Sequence, residues 1–134
     1  MKEVLINDSY YIGFEGEPEI VFMYESLIGR HELRLWNGYF ETFLDCLLEQ
    51  VPVQNVILHE YYIHEGWYDE SPWEIQDVEG ALQLFKSFAV RELKEDENRA
   101  SENITAMLPL LSVDIITFLE QANESGSRVF IIYD

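Results

Sequence analysis

The C-terminal run Val129-Phe130-Ile131-Ile132-Tyr133 constrains the fold most, because it is apolar without a break and rich in β-branched and aromatic residues. It is short for a helix and shows no alternation. That pattern points to an inner strand of a sheet, covered on both faces by other elements. The residues before it supply one of those elements. Ile115, Ile116, Leu119 and Ala122 recur at helical spacing, and Gly126 is a natural stop. Ser112 is placed to cap this helix, with Leu111 and Ile116 spaced as a hydrophobic staple. A shorter helix over Ser101 to Leu108 is expected to end or kink at Pro109.

Earlier segments complete a sheet flanked by helices. Val4-Leu5-Ile6 reads as a strand ending at Asn7-Asp8-Ser9. Tyr10 to Phe14 and Glu19 to Tyr24 flank Glu15-Gly16-Glu17-Pro18 and are expected to form a hairpin. Leu27 to Trp36 permits a further strand. Asn37 is a candidate N-cap for a helix carrying Phe40, Phe43, Leu44, Leu47 and Leu48, which Pro52 would stop. Gln54 to Tyr62 reads as a strand centred on Val56-Ile57-Leu58. Ser71-Pro72-Trp73-Glu74 has the form of a helix start, and Asp77 is a second one. Val78, Ala81, Leu82, Phe85, Phe88 and Ala89 then form a stripe, followed by the charged run Glu92 to Arg99. The expected class is mixed α/β (α+β): one sheet, with an N-terminal antiparallel hairpin and a C-terminal strand, flanked by three to four helices. The later crossovers are long enough for parallel strands. No repeat or linker divides the chain, so residues 1–134 are expected to form one domain.

Charge is distributed unevenly. The net charge is −18, and between Leu35 and Phe85 there are ten Asp or Glu and no Lys or Arg. Surfaces kept acidic for solubility normally mix signs. A one-signed block of this length suggests a specialised electrostatic face that repels nucleic acid and anionic lipid and attracts basic proteins. Within it lies HEYYIHEGWYDESPW, residues 59–73, with five aromatics and four carboxylates. Glu65, Trp67, Tyr68, Asp69 and Glu70 read as an exposed loop. Tyr61 or Tyr62, and Trp73, are expected in the core. Exposed Trp and Tyr beside carboxylates suit a partner rich in Lys and Arg, through cation–π contacts and charge-assisted hydrogen bonds.

Other chemistries fit less well. His59, Glu60, His64 and Glu65 are ligand types, but the histidines are five apart rather than the four a zincin helix needs. On a strand they would face opposite ways. No metal or cofactor is expected. Cys46 lies beside Asp45, where carboxylates disfavour a thiolate. With 26 carboxylates, finding a pair spaced for glycoside hydrolysis carries no information. No phosphate-binding glycine motif or nucleophile elbow is present. An enzyme is not expected. The lone cysteine suits a reducing compartment, the N-terminus is unlike a secretory leader, and no apolar run is long enough for a membrane helix. A cytoplasmic protein is the simplest expectation.

Glu41-Thr42-Phe43-Leu44-Asp45-Cys46-Leu47, followed by Val51-Pro52-Val53 and Val56-Ile57-Leu58, resembles the barstar family of ribonuclease inhibitors. So does the passage from Phe118 to Gly126 into Val129 to Ile132. The resemblance implies a helix followed by a strand after residue 40, and a last helix leading into a final strand. In that family, acidic residues one turn apart on the matching helix enter the nuclease active site and mimic RNA phosphates. The matching positions are Glu41 and Asp45. The first 36 residues and Tyr61 to Pro72 have no counterpart there, and Gln121 stands where the family's last-helix acidic contact falls. Size and acidity also resemble immunity proteins of bacterial toxin systems, including contact-dependent growth inhibition. This implies a protein that binds and neutralises a basic toxin domain, commonly a nuclease, through Glu41, Asp45, Glu65, Trp67, Tyr68, Asp69 and Glu70. The alternatives are an acidic scaffold for another basic protein, or a small sugar-binding or hydrolase domain.

Overall fold

The computed structural model describes residues 3–50, 56–88 and 102–134. The strands are β1 (Glu3–Tyr10), β2 (Glu19–Glu25), β3 (Gly29–Trp36), β4 (Trp73–Glu74) and β5 (Val129–Tyr133). The helices are α1 (Asn37–Gln50), α2 (Val56–Ile63), α3 (Val78–Lys86) and α4 (Glu102–Glu124), with a 3₁₀ turn at Gly66–Tyr68. The architecture is mixed α/β: a five-stranded sheet in the order β1-β3-β2-β5-β4, with β1 parallel to β3 and the other pairs antiparallel.

Strand alternation sorts the sheet into two faces. On one face, Ile20, Phe22, Tyr24, Leu33, Leu35, Val129 and Ile131 are buried. Phe22 meets Phe40 of α1, Phe85 of α3 and Phe118 of α4 edge-on, so these helices share that face. The opposite face presents Val21, Met23, Phe130 and Ile132, together with a charge ladder. Glu32 bonds Arg30 at 2.6 Å and Arg34 at 2.7 Å, and Arg34 reaches Glu19 at 3.5 Å. Burial pushes the Glu32 carboxyl up, but the hydrogen bonds and charges of Arg34 and Arg30 outweigh it and hold the group below the usual carboxylate range. Because the folded value is lowered, this stabilisation is present above the unfolded pKa, about 4.3, and is lost as pH falls through the folded value. Glu32→Gln should therefore cost roughly 1–2 kcal/mol at neutral pH, since the arginines can rehydrate. Urea unfolding at pH 7 and pH 3 should show the difference shrinking in acid.

Several expectations are corrected. The hairpin is β2–β3, closed by Ser26 to Gly29, where Ser26 N bonds Gly29 O at 2.8 Å. Tyr11 to Phe14 turn rather than extend, with Tyr11 N and Ile12 N both bonding Asp8 O. β1 runs on to Tyr10 and crosses to pair with β3. The late strands are antiparallel, not parallel. Val129 and Ile131 are fully buried, but Phe130, Ile132 and Tyr133 are half-buried, so β5 is an inner strand with one face covered by helices.

Val56-Ile57-Leu58 opens the helix α2 rather than a strand, against both the residue pattern and the barstar resemblance. Ser71 caps no helix: its Oγ accepts from Tyr133 N at 2.9 Å, and Trp73-Glu74 pair with β5. Asp77 does cap α3, accepting from Gly80 N at 2.8 Å. The two late helices are one, α4, with Pro109 inside it and Ser112 buried in mid-helix. Its end is as expected: Gly126 adopts φ 68°, and Ser127 N bonds Ala122 O at 3.0 Å. Pro52, Gln54, Ala89, Glu92 to Arg99 and Ser101 lie outside the described residues.

Candidate functional site

The site is built where α1, α2 and the 3₁₀ turn meet. Glu41 and Asp45 lie four residues apart on α1, one turn from each other. Phe40, Phe43, Leu44 and Leu47 bury the opposite side of that helix and fix its rotation. α2 buries Ile57 and Leu58 and packs Tyr61 against the core, which is helical spacing. Tyr61 Oη donates to Asp45 Oδ1 at 2.7 Å and approaches Glu41 O at 3.3 Å. Tyr68 Oη donates to Glu41 Oε2 at 2.6 Å. Each carboxylate is thus clamped by one tyrosine. The structure joins the helix acids and the aromatic segment into one surface.

α2 closes with His64 at φ 59°, and Glu65 N bonds Glu60 O at 2.9 Å. A histidine in the left-handed region carries strain, of order 1 kcal/mol. Its ring stacks on Tyr68 with centroids 3.8 Å apart. Gly66 follows at φ 63°, where a Cβ would lie 2.9 Å from Glu60 Cβ, so no larger residue fits. This tight turn sends Trp67 inward.

Trp67 is therefore not a surface anchor. It is fully buried against Phe40 and Trp73. Tyr68 is half-buried, packed on Tyr133 and tied to Glu41. Glu65, Asp69 and Glu70 are exposed, as expected. The apolar groups that do reach solvent here are Tyr62, 70% exposed, and Ile63, 40% exposed. On a helix, burying residues 57, 58 and 61 leaves residues 59, 62 and 63 outside.

The ten-carboxylate block also divides. Glu74 is neutralised by Arg128 at 2.6 Å, Asp77 caps α3, and Glu79 accepts from Asn123 at 3.0 Å and from Gln83 at 3.2 Å. The other seven lie on α1, on α2 and beside the 3₁₀ turn. Among the described residues, Glu41, Asp45, Glu60, Glu65, Asp69 and Glu70 have no Lys or Arg within 4.0 Å, and Glu60 meets only His59, at 3.9 Å. His59 and His64 join no cluster of three potential metal ligands among the described residues. Cys46 is buried in α1. No helix among the described residues is long and apolar enough to cross a membrane.

Burial, then the paired carboxylates, pushes both tyrosine phenols far above their ordinary value, so they remain donors. Burial also raises Asp45. The Tyr61 hydrogen bond opposes this, while the charges of Glu41 and Glu49 add to it. Because the folded value is raised, ionised Asp45 opposes folding. This penalty grows as pH rises through the folded value and is absent below the unfolded one. Asp45→Asn keeps an acceptor for Tyr61 and should raise stability at pH 7 by about 0.5 kcal/mol, a small effect because the group is solvent-screened. Thermal melts at pH 7 and pH 3 should show the gain only at pH 7.

No protein-family model, curated protein or solved structure matches this chain.

Proposed function

We propose that this protein is an inhibitor of the immunity type, acting in the cytoplasm. It binds a basic toxin domain, a nuclease, and occludes its phosphate-binding active site. Glu41 and Asp45 enter that site in place of phosphates, Asp69, Glu70 and Glu65 extend the acidic rim, and Tyr62 and Ile63 supply the apolar contact. One observation carries this reading: among the described residues six carboxylates of this region have no Lys or Arg within 4.0 Å, and two of them are held in place by tyrosines.

Burial and the neighbouring carboxylates make ionised Asp45 oppose folding, and a cationic partner would offset that cost. Tyrosine clamps lower the cost of ordering the carboxylates on binding. Fixed like charges also steer a basic partner to the face and speed its encounter. Nothing in this mechanism needs a catalytic group, metal or cofactor on this chain.

The test is capture of partners from lysate of the source organism at low and high salt, followed by an activity assay of what is captured. The proposal expects one basic nuclease domain, inactive while bound and released by salt. Capture of a basic protein that stays fully active would instead support a scaffold. If no protein binds at any salt, the inhibitor reading is wrong and glycans become the ligands to screen.

A further inference from the structure

β1 is the outer strand of the sheet, at the edge away from β5 and the acidic face, and among the described residues no strand pairs with its far side. Every second residue of such a strand turns its N–H and C=O outward. Val4 is 58% exposed, Leu5 39% and Ile6 50%. From Glu3 to Tyr10 there is no Pro or Lys, the residues that commonly protect an open edge.

Beside this edge, between β1, β3 and α4, lies a groove of about 330 Å³. Leu5, Leu33 and Phe118 form its apolar part, and Asn7, Asp114 and Gln121 its polar part. Asp114 Oδ2 accepts from Tyr10 Oη at 2.6 Å and from Asn7 Nδ2 at 3.4 Å, while Oδ1 accepts from neither. The other charged group on the groove, Glu32, is already held by Arg30 and Arg34. His31 is engaged by Ser26 at 2.8 Å and stacked on Tyr24.

We propose that this edge and groove take up an extended peptide segment of a partner protein, added to β1 as a sixth strand. The segment carries an apolar side chain for Leu5, Leu33 and Phe118 and a lysine or arginine for Asp114. Open backbone groups specify a strand, and a groove on one side of the edge receives every second side chain. Asp114 sets the charge. A second copy of this chain fits poorly: β1 has no Lys or Arg to meet Asp114, and each copy carries −18. The site is separate from the acidic face, four strand spacings, or about 19 Å, across the sheet from β4.

The experiment titrates the ¹⁵N-labelled full chain with an acetylated, amidated seven-residue peptide. It has valine at its second and fourth positions, lysine at its sixth and threonine elsewhere. Amide shifts are expected over residues 3–7 and 114–121, with slowed hydrogen exchange at alternate β1 amides. Glutamate in place of the lysine should weaken binding about tenfold. Asp114→Asn, which leaves Tyr10 an acceptor, should reduce that preference to about twofold or less. The proposal is overturned if millimolar peptide shifts nothing, or if the shifts fall only on residues 61–70. It is equally overturned if the lysine preference survives Asp114→Asn, or if β1 amides are already protected in a concentration-dependent homodimer.

Discussion

Trp67→Ala should lower the unfolding free energy by about 3–5 kcal/mol, the largest single-site loss expected among the residues of the candidate site. Its ring is fully enclosed between Phe40, Trp73 and Tyr68, so truncation leaves a cavity that joins the helix layer to the 3₁₀ turn. Tyr62→Ala should change stability by about 0.5 kcal/mol or less, because most of that side chain is already in water. Under the proposed function the order should reverse for partner binding, with Tyr62 contributing contact and Trp67 acting only by holding Tyr68 and the turn. Urea unfolding of the two variants beside wild type checks both statements. A Trp67→Ala protein of wild-type stability that had lost its partner would restore Trp67 as a surface anchor.

The second large effect is electrostatic. The double change Glu41→Lys and Asp45→Lys should weaken the partner complex at least about 100-fold and slow association most at low salt. Two like charges would then face the partner's cationic site, and both tyrosine clamps would be lost. A conservative pair, Glu41→Gln with Asp45→Asn, separates these causes. It keeps acceptors for Tyr68 and Tyr61, so the fold and the surface shape remain while the charge goes. Its affinity should fall by about tenfold, between wild type and the reversal. Stopped-flow association across a salt series measures this. If both pairs kept the wild-type rate and salt slope, the steering role of this face would be disproved.

The sequence shows the fold class because the strand patterns are strong: β2 and β5 sit where β-branched and aromatic residues cluster, and in β3 His31, Leu33 and Leu35 alternate with Glu32 and Arg34. It misplaces elements where local chemistry is outvoted by packing. In α2, Val56, Ile57, Tyr61 and Tyr62 have strand propensity, yet residues 57, 58 and 61 bury together only on a helix. Ser71 and Pro72 carry a capping signature, but the Ser71 hydroxyl is taken by the Tyr133 amide and Trp73 is drawn to β5. Pro109 removes one N–H from α4, which costs a single helical bond, and the packing of Leu108, Leu111 and Ile115 offsets it. Glu15-Gly16-Glu17-Pro18 is rich in turn formers and points to a hairpin there, while the hairpin turn Ser26-Leu27-Ile28-Gly29 carries two apolar residues at its centre.

The candidate site was half legible. The barstar resemblance points to Glu41 and Asp45, and the basic-free block points to Asp69 and Glu70. That the two groups form one surface depends on Tyr61 and Tyr68 reaching α1 across 16 and 27 residues of sequence, which no local pattern encodes. That Trp67 is buried while Tyr62 and Ile63 are exposed follows from the helical path of α2 and the left-handed turn at Gly66.

Occlusion by the Glu41 and Asp45 face is tested most directly by titrating the catalytic activity of the captured basic domain with wild-type protein and with the Glu41→Lys, Asp45→Lys variant. The account predicts that wild type abolishes activity at one equivalent and that the folded variant leaves it intact. Equal inhibition by both proteins, or a bound domain that keeps full activity, would contradict it.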